Sequence, residues 1–580
     1  MKRRIALLLM FVMILSVFAG CGGNKEAVTE QTGKEPVAEQ TGKEPAAAQS
    51  GKEAASEQTG KEPAGEAAPA KEYDEDSYLN ALIGGEPSTL DVAKFMNMYD
   101  RTVLNNTLEP LTRIRNGVVV GAGAETWDVS SDGLTYTFHL RDNVWSDGQP
   151  VTAADYECAF KRMADPKNAW ALASDFYNVK NFKAIYEGTE PDVEKLGVTA
   201  LDEKTLEVQM DNIDVTLLTL SIFPCRADLV EKYGEQYGSE VDTVLSCGPF
   251  VLDEWVHNAT LSFSKNPTFW GADEIKLSKF TLHIMNDMNA RMSAFEAGEL
   301  DYIGVSNAEY IAKFSADDRF ESEKVSAGRT VMIIFNCADE ILQNQKIRLA
   351  LSISLDRDSL AEVITGGTAV AAYGLIPADS SVGVYNYRAE VEEPLKALMD
   401  QDPKALFIEG MKELGLGDDP STVTLTLSWG GTTADARTYA ELYQSMWQGA
   451  IGCKIELEFN DSTTHMANIN QGKTQLASAS WGADPEPKFQ LTRWANKKGG
   501  QSNWNNPEYI QYCNTASSTT DDKARLEAYA AAEKMLIENA AIAPVYYTGS
   551  YRYNYPYVKG LSTSTFDNDG MMSLYTFGRE

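Results

Sequence analysis

The chain has 580 residues, with 51 basic against 84 acidic side chains and a formal net charge of −33. That charge argues against nucleic-acid binding, which requires basic patches. The four histidines, never paired at metal-ligand spacing, argue against a dedicated zinc site. Beyond its N-terminal segments the chain is too long for one hydrophobic core, so two or three lobes are expected.

In chain order, the first element is a secretory signal over residues 1–20: Lys2, Arg3 and Arg4, then an apolar run from Ile5 to Phe18 too short to span a bilayer comfortably. Ala19-Gly20-Cys21 is similar to a bacterial lipobox, with Phe18 where leucine is usual. Cys21 is then the lipidated first residue of the mature protein, anchored to the extracellular face of the cell membrane. Thr32-Gly33-Lys34-Glu35-Pro36 recurs at Thr41 to Pro45 and Thr59 to Pro63, almost without large apolar residues. Such a segment cannot bury enough surface to offset its ordering entropy, so 21–76 reads as a disordered tether. A flexible chain of that length reaches roughly 40 Å, enough to hold a folded body off the membrane.

The body opens with a strand over Tyr78–Ile83 and a helix over Arg101–Leu108. Tyr136–Leu140 alternates large residues at period two and reads as a half-buried strand. Ser146-Asp147-Gly148-Gln149-Pro150 is turn chemistry, and Thr152 with Asp155 is an N-cap signature for a helix running to Met163. His139 in this stretch has no nucleophile placed beside it and reads as a strand-face residue. Further strands are expected at Leu206–Met210, Gly248–Leu252, Ala259–Ser264, Val423–Leu427, Cys453–Phe459 and Ala543–Tyr547. Helices are expected at Asn289–Gly298, Ile347–Ile353, Ala434–Gln448 and Arg525–Glu538. The alternation makes the class α/β. Six cysteines follow Cys21, none in a CxxC pair; their connectivity is not readable, and buried free thiols are the expectation for most.

A series of landmarks in this body resembles one family. They are Glu86-Pro87-Ser88-Thr89-Leu90-Asp91, Tyr136 to Arg141 with Trp145-Ser146-Asp147-Gly148, Cys247-Gly248-Pro249-Phe250 with Asn266-Pro267, Gly298-Glu299-Leu300-Asp301, Asp356-Arg357, Trp481-Gly482-Ala483-Asp484 and Pro544-Val545-Tyr546-Tyr547. In this order they resemble the family 5 extracellular solute-binding proteins of ABC importers, the oligopeptide-binding members above all. The resemblance implies a periplasmic-binding-protein type II fold: two α/β lobes around a ligand cleft, plus an inserted third lobe. Transferred here, lobe I spans 77–108, 231–328 and 550–580, the inserted lobe II 109–230, and lobe III 329–549. A ligand lies between lobes I and III, which close over it by hinge motion. Peptides bind there as an added strand, through main-chain hydrogen bonds.

The resemblance places Asp484 as the carboxylate facing a peptide's ammonium, Trp481 as a cleft aromatic, and Ser480, Gly482 and Ala483 as main-chain neighbours of the ligand. Met96, Asn97 and Met98 fall on the opposite wall. Two basic positions of some relatives correspond to Ser478 and Ile469, and a disulfide of some relatives would join the positions of Arg329 and Gly482. Arg329 is a candidate replacement cation for a ligand carboxylate. No catalytic elbow, P-loop, dinucleotide fingerprint or metal cluster is present in the sequence, which argues against an enzyme. No cofactor is expected. The expected partners are an oligopeptide, the permease and ATPase subunits of an ABC importer, and the membrane through the lipid anchor, with the protein a monomer. Alternatives within the fold are an oligosaccharide or metal-chelate ligand, or a sensing or adhesion role.

Overall fold

The computed structural model describes residues 73–495 and 501–579. The signal segment, Cys21 and the repeats lie outside the described residues. Folded contacts begin before the expected body start at residue 77. The Asp74 amide donates to the Thr576 carbonyl at 2.9 Å, and the Asp74 carboxylate accepts from the Gly578 and Arg579 amides at 2.9 and 3.2 Å.

Helices and strands alternate along the chain, as predicted. Three sheets organise them. The first runs in the order Tyr78–Ile83, Lys279–Ile284, Thr260–Lys265, Phe250–Val256. Its first pair is parallel, with Ala81 opposite Leu282, and the others are antiparallel. Period-two alternation buries Leu79, Ala81 and Ile83 while turning Asn80 and Leu82 away. Phe263 stacks on Phe280 at 4.3 Å between centroids in the core beneath.

The second sheet runs Ala124–Val129, Thr135–Leu140, Thr205–Gln209, Val198–Ala200, antiparallel throughout. After its strand Thr135–Leu140 come the predicted turn and the helix Ala153–Ala164. The Asp155 carboxylate accepts from the Thr152 amide at 2.9 Å, closing a capping box. Trp145 is buried and donates to the same carboxylate at 3.3 Å. His139 lies on the exposed side of its strand, 2.9 Å from Asp128. The 133–155 stretch therefore builds scaffold. Its core also draws in Val92, Phe95, Leu104 and Leu108, which precede it in sequence, and Tyr237 and Cys247, which follow.

The third sheet runs Tyr302–Val305, Ile542–Asn554, Glu321–Phe335, Leu476–Gly482, Thr424–Gly430, Lys454–Asn460, with Val370–Ala371 added on Ile542–Asn554. In the long strand Glu321–Phe335, Val331, Ile333 and Phe335 enter one core while Met332 and Ile334 enter another. Both faces are covered there, which explains the unbroken apolar run. The polar half, Glu321 to Ser326, pairs instead with Gly549–Asn554.

Between these halves the ladder breaks. Ala327, Gly328 and Arg329 face the single residue Thr548 before pairing resumes at Thr330 and Tyr547. Gly328 has φ of +58°, and a Cβ there would meet Thr565 at 2.9 Å, so glycine is required. The strands Glu321–Phe335 and Ile542–Asn554 thus share an irregular, poorly laddered point.

Candidate functional site

Leu476–Gly482 pairs antiparallel with the long strand, setting Arg329 opposite Gly482, Thr330 opposite Trp481 and Val331 opposite Ser480. The positions that the resemblance links by a disulfide in some relatives are thus direct cross-strand neighbours. Arg329 is exposed; its guanidinium donates to the Ser480 hydroxyl at 3.2 Å and to the Ser480 carbonyl at 3.0 Å. A Cβ at Gly482 would meet only Arg329, at 3.7 Å, so open space lies in front of this backbone. Ala483 extends the pairing by one bond, its amide reaching the Gly328 carbonyl at 2.7 Å.

The loop that follows is fixed on every side except at its acid. The Asp484 carbonyl accepts from Ser380 Oγ at 3.0 Å, and the Pro485 carbonyl from the Ser381 amide at 2.7 Å. The Glu486 carboxylate is buried against Arg525 at 3.0 Å and Tyr529 at 3.1 Å. Lys488 reaches Asp214, from the second-sheet region, at 2.6 Å. The half-buried Asp484 carboxylate itself has no hydrogen-bond or ion-pair partner among the described residues. Burial pushes it up to about 6, repulsion from Asp175 adds to this, and attraction to Arg493 opposes it.

Asp175 and Arg493 belong to no motif of the sequence reading. Asp175 lies on the turn Ala173–Phe176. It is solvent-exposed, yet crowding by surrounding protein raises its carboxyl, while Arg101 pulls it back. Arg493 lies over the ring of Trp481 at 3.9 Å and of the exposed Phe489 at 4.6 Å. The Trp481 indole N–H and the Arg493 Nε are buried without an acceptor. These residues offer an acid with no hydrogen-bond or ion-pair contact, an aromatic face and unused donors.

The 96–98 segment folds around a cap. Asn97 Oδ1 accepts from the Tyr99 and Asp100 amides at 2.9 and 3.0 Å, starting the helix Met98–Thr107. Asn97 thus has a structural task, while Met96 and Met98 flank it 59% and 71% exposed. Arg101, one turn on, is exposed and interacts with Asp175, which in turn acts on Asp484. Arg101 and Asp484 thus share Asp175 as an electrostatic neighbour. Ile469 is fully buried in a core, and the Ser478 carbonyl accepts from His465 Nε2 at 2.8 Å, so neither presents a charge to the cleft. Among the described residues no group of three or more His, Cys, Asp or Glu is gathered as a metal would need.

An acid raised above its ordinary value binds a proton more tightly when folded than when unfolded, so its ionisation opposes folding. This cost is absent below about pH 4 and complete above about pH 6. Asp484→Asn is expected to raise the melting temperature of the ligand-free protein above pH 6, by about 1–2 kcal/mol of stability after allowing for partial exposure. It should have no effect near pH 4. Melts across that range check it, and a destabilised variant at pH 7.5 would mean the acid has a partner.

The family model of bacterial extracellular solute-binding proteins, family 5, matches residues 118–503. The chain is 29% identical over 482 residues to the oligopeptide-binding protein OppA of Bacillus subtilis, covering 81% of this chain and 87% of that one. It is 30% identical over 492 residues to the periplasmic murein peptide-binding protein MppA of Escherichia coli, covering 82% and 89%. The unliganded open form of MppA superposes with a TM-score of 0.77 at 28% identity, over 87% of this chain and 98% of that one. Peptide-bound OppA of Listeria monocytogenes gives 0.60 at 26% identity, over 87% and 99%. The fold is the periplasmic-binding-protein type II fold.

Proposed function

The chain belongs to the bacterial extracellular solute-binding proteins of family 5, and on that premise we propose that it captures free-ended oligopeptides and delivers them to a membrane ABC importer. The observation that carries this reading is the half-buried Asp484 carboxylate, held in a loop fixed by hydrogen bonds and left without an ion-pair or hydrogen-bond contact, with Arg493 acting on it only at longer range. A buried charge of this kind is costly unless a ligand supplies its partner, and a peptide ammonium does so. Trp481 and Met96 and Met98 offer apolar contact, and the open backbone at Gly482 leaves room for an extended main chain. Arg329, already engaged by Ser480, is the cation nearest that backbone and stands for the ligand's carboxylate end.

The lobes in this reading are 77–108 with 231–328 and 550–580, the insertion 109–230, and 329–549. The broken ladder at Ala327–Arg329 and Thr548 serves as their hinge. The better overlay with an unliganded open relative supports an open arrangement here. Saturating peptide is then expected to shrink the radius of gyration in small-angle scattering and to raise the melting temperature by mass action. Demonstrated binding with neither change would refute a closing cleft.

Affinity should also follow the acid. It is expected to be flat between about pH 6.5 and 7.5 and to fall about tenfold per unit below pH 6 as Asp484 protonates. Titrations across that range check it, and an unchanged affinity at pH 5 would contradict it. Cys21 is proposed as the lipid anchor. Cys21→Ala should release the protein into the medium, and retention of membrane-bound, lipidated protein would disprove the anchor.

A further inference from the structure

Two cysteines come together in the core of the second-sheet region. The Cys225 amide donates to the Asp155 carbonyl at 2.9 Å, and the Cys225 sulfur lies 3.6 Å from the Arg162 guanidinium. Both contacts are to the helix Ala153–Ala164. On a helix, residues three and four apart share a face, so positions 155, 158 and 162 lie along one stripe. Cys158 therefore stands between the two points at which Cys225 touches that helix. Cys158 packs against the buried cluster that contains Cys225, and each thiol acts on the ionisation of the other, Cys158 being raised and Cys225 lowered. For none of the other four described cysteines is a second cysteine among the groups that shift it.

We propose that Cys158 and Cys225 are a dithiol–disulfide site that takes a small-molecule or protein disulfide as its oxidant. The two sulfurs are differently equipped. Cys158 is half-buried, so an external disulfide can reach it, whereas Cys225 is enclosed. Arg162 and the Tyr237 hydroxyl, 3.6 and 3.7 Å away, surround Cys225 with groups that favour its thiolate. The neighbouring Cys225 and burial hold the Cys158 thiol in its protonated form. Cys158 therefore passes its proton to the Cys225 thiolate as it attacks the external disulfide, forming a mixed disulfide and expelling one thiolate, which then takes the proton from Cys225. The Cys225 thiolate then attacks the Cys158 sulfur, forming the internal bond and expelling the second. Two cysteine thiols lose two electrons and two protons, and the oxidant is reduced to two thiols. An extracellular setting, the one the family occupies, preserves such a bond.

The bond would also act on its surroundings. Arg162 holds Asp91 in a two-point ion pair at 2.5 and 2.8 Å. Oxidation removes the Cys225 thiolate as a rival acceptor and leaves Arg162 to Asp91. The bond would also close the chain between residues 158 and 225, so the oxidised protein should melt higher than the reduced one.

The test is to incubate the folded, full-length protein with glutathione disulfide, block remaining thiols, and map tryptic peptides without reduction. The expected product is the peptide holding Cys158 joined to the peptide holding Cys225, two hydrogens lighter than the sum of the free peptides. In Cys158→Ser the joined product should vanish while the other thiols are blocked as before. Separate blocking of both cysteines, a mixed disulfide halted at Cys158, or a bond from Cys225 to another cysteine would each overturn the proposal.

Discussion

Replacing Asp484 with asparagine is expected to weaken binding of a free-ended peptide by about 30-fold to several thousand-fold. The substitution keeps the shape and removes the charge. It leaves the ligand's ammonium buried without its counter-charge, and truncating one member of such a pair costs roughly 2–5 kcal/mol. An N-acetylated peptide should bind the parent weakly for the same reason. It should then lose little more on the variant, because the partner is already missing. This non-additivity separates a direct contact from general damage. The expected gain in ligand-free stability of the same variant strengthens the distinction, since a damaged fold would lose both. Calorimetry on the four combinations decides it. If the two changes weaken binding independently, or acetylation has no effect, Asp484 does not hold the ammonium.

Glu533→Ala is expected to cost about 3–5 kcal/mol of stability. Glu533 is fully buried on the helix Asp522–Glu538 and gathers four donors: the Leu375 and Ile376 amides at 2.7 and 3.0 Å, the Tyr387 hydroxyl at 3.1 Å, and the Arg388 guanidinium. The alanine variant leaves a buried cation and two amides without their acceptor. The space is tight as well: a Cβ at Gly374 would meet Arg388 at 2.6 Å and Glu533 at 2.9 Å. The same helix carries Arg525, whose grip on Glu486 fixes the loop holding Asp484. The variant should therefore melt earlier and bind peptide less tightly at temperatures where the parent is intact. Glu533→Gln, which keeps an acceptor, should lose less. A loss below about 1 kcal/mol for alanine would show that water replaces the carboxylate.

Much of the fold was legible because its rules are local. Tyr78–Ile83 alternates at period two and Thr152 with Asp155 announces a helix start, and both elements fall within a residue of expectation. The long strand Glu321–Phe335 was not, because its polar first half has no apolar face of its own and pairs with Gly549–Asn554, more than two hundred residues away. The site divides the same way. Asp484 and Trp481 lie in a motif, whereas Asp175 and Arg493 carry no local signal and are brought to Asp484 by folding alone. Asn97 had a local signal of a different kind, since an asparagine ahead of Met98-Tyr99-Asp100 is helix-cap chemistry. Ile469 and Ser478 stand where basic residues were sought, and the structure assigns one to a core and the other to a histidine contact.

The claim that a peptide fills the cleft is tested most directly by native mass spectrometry of the protein purified from its own cells. Gentle activation should release ligands with the masses and fragmentation of peptides bearing free amino termini, and Asp484→Asn should emerge largely empty. Release of a sugar or a metal chelate, or an equal peptide load on the variant, would contradict the account.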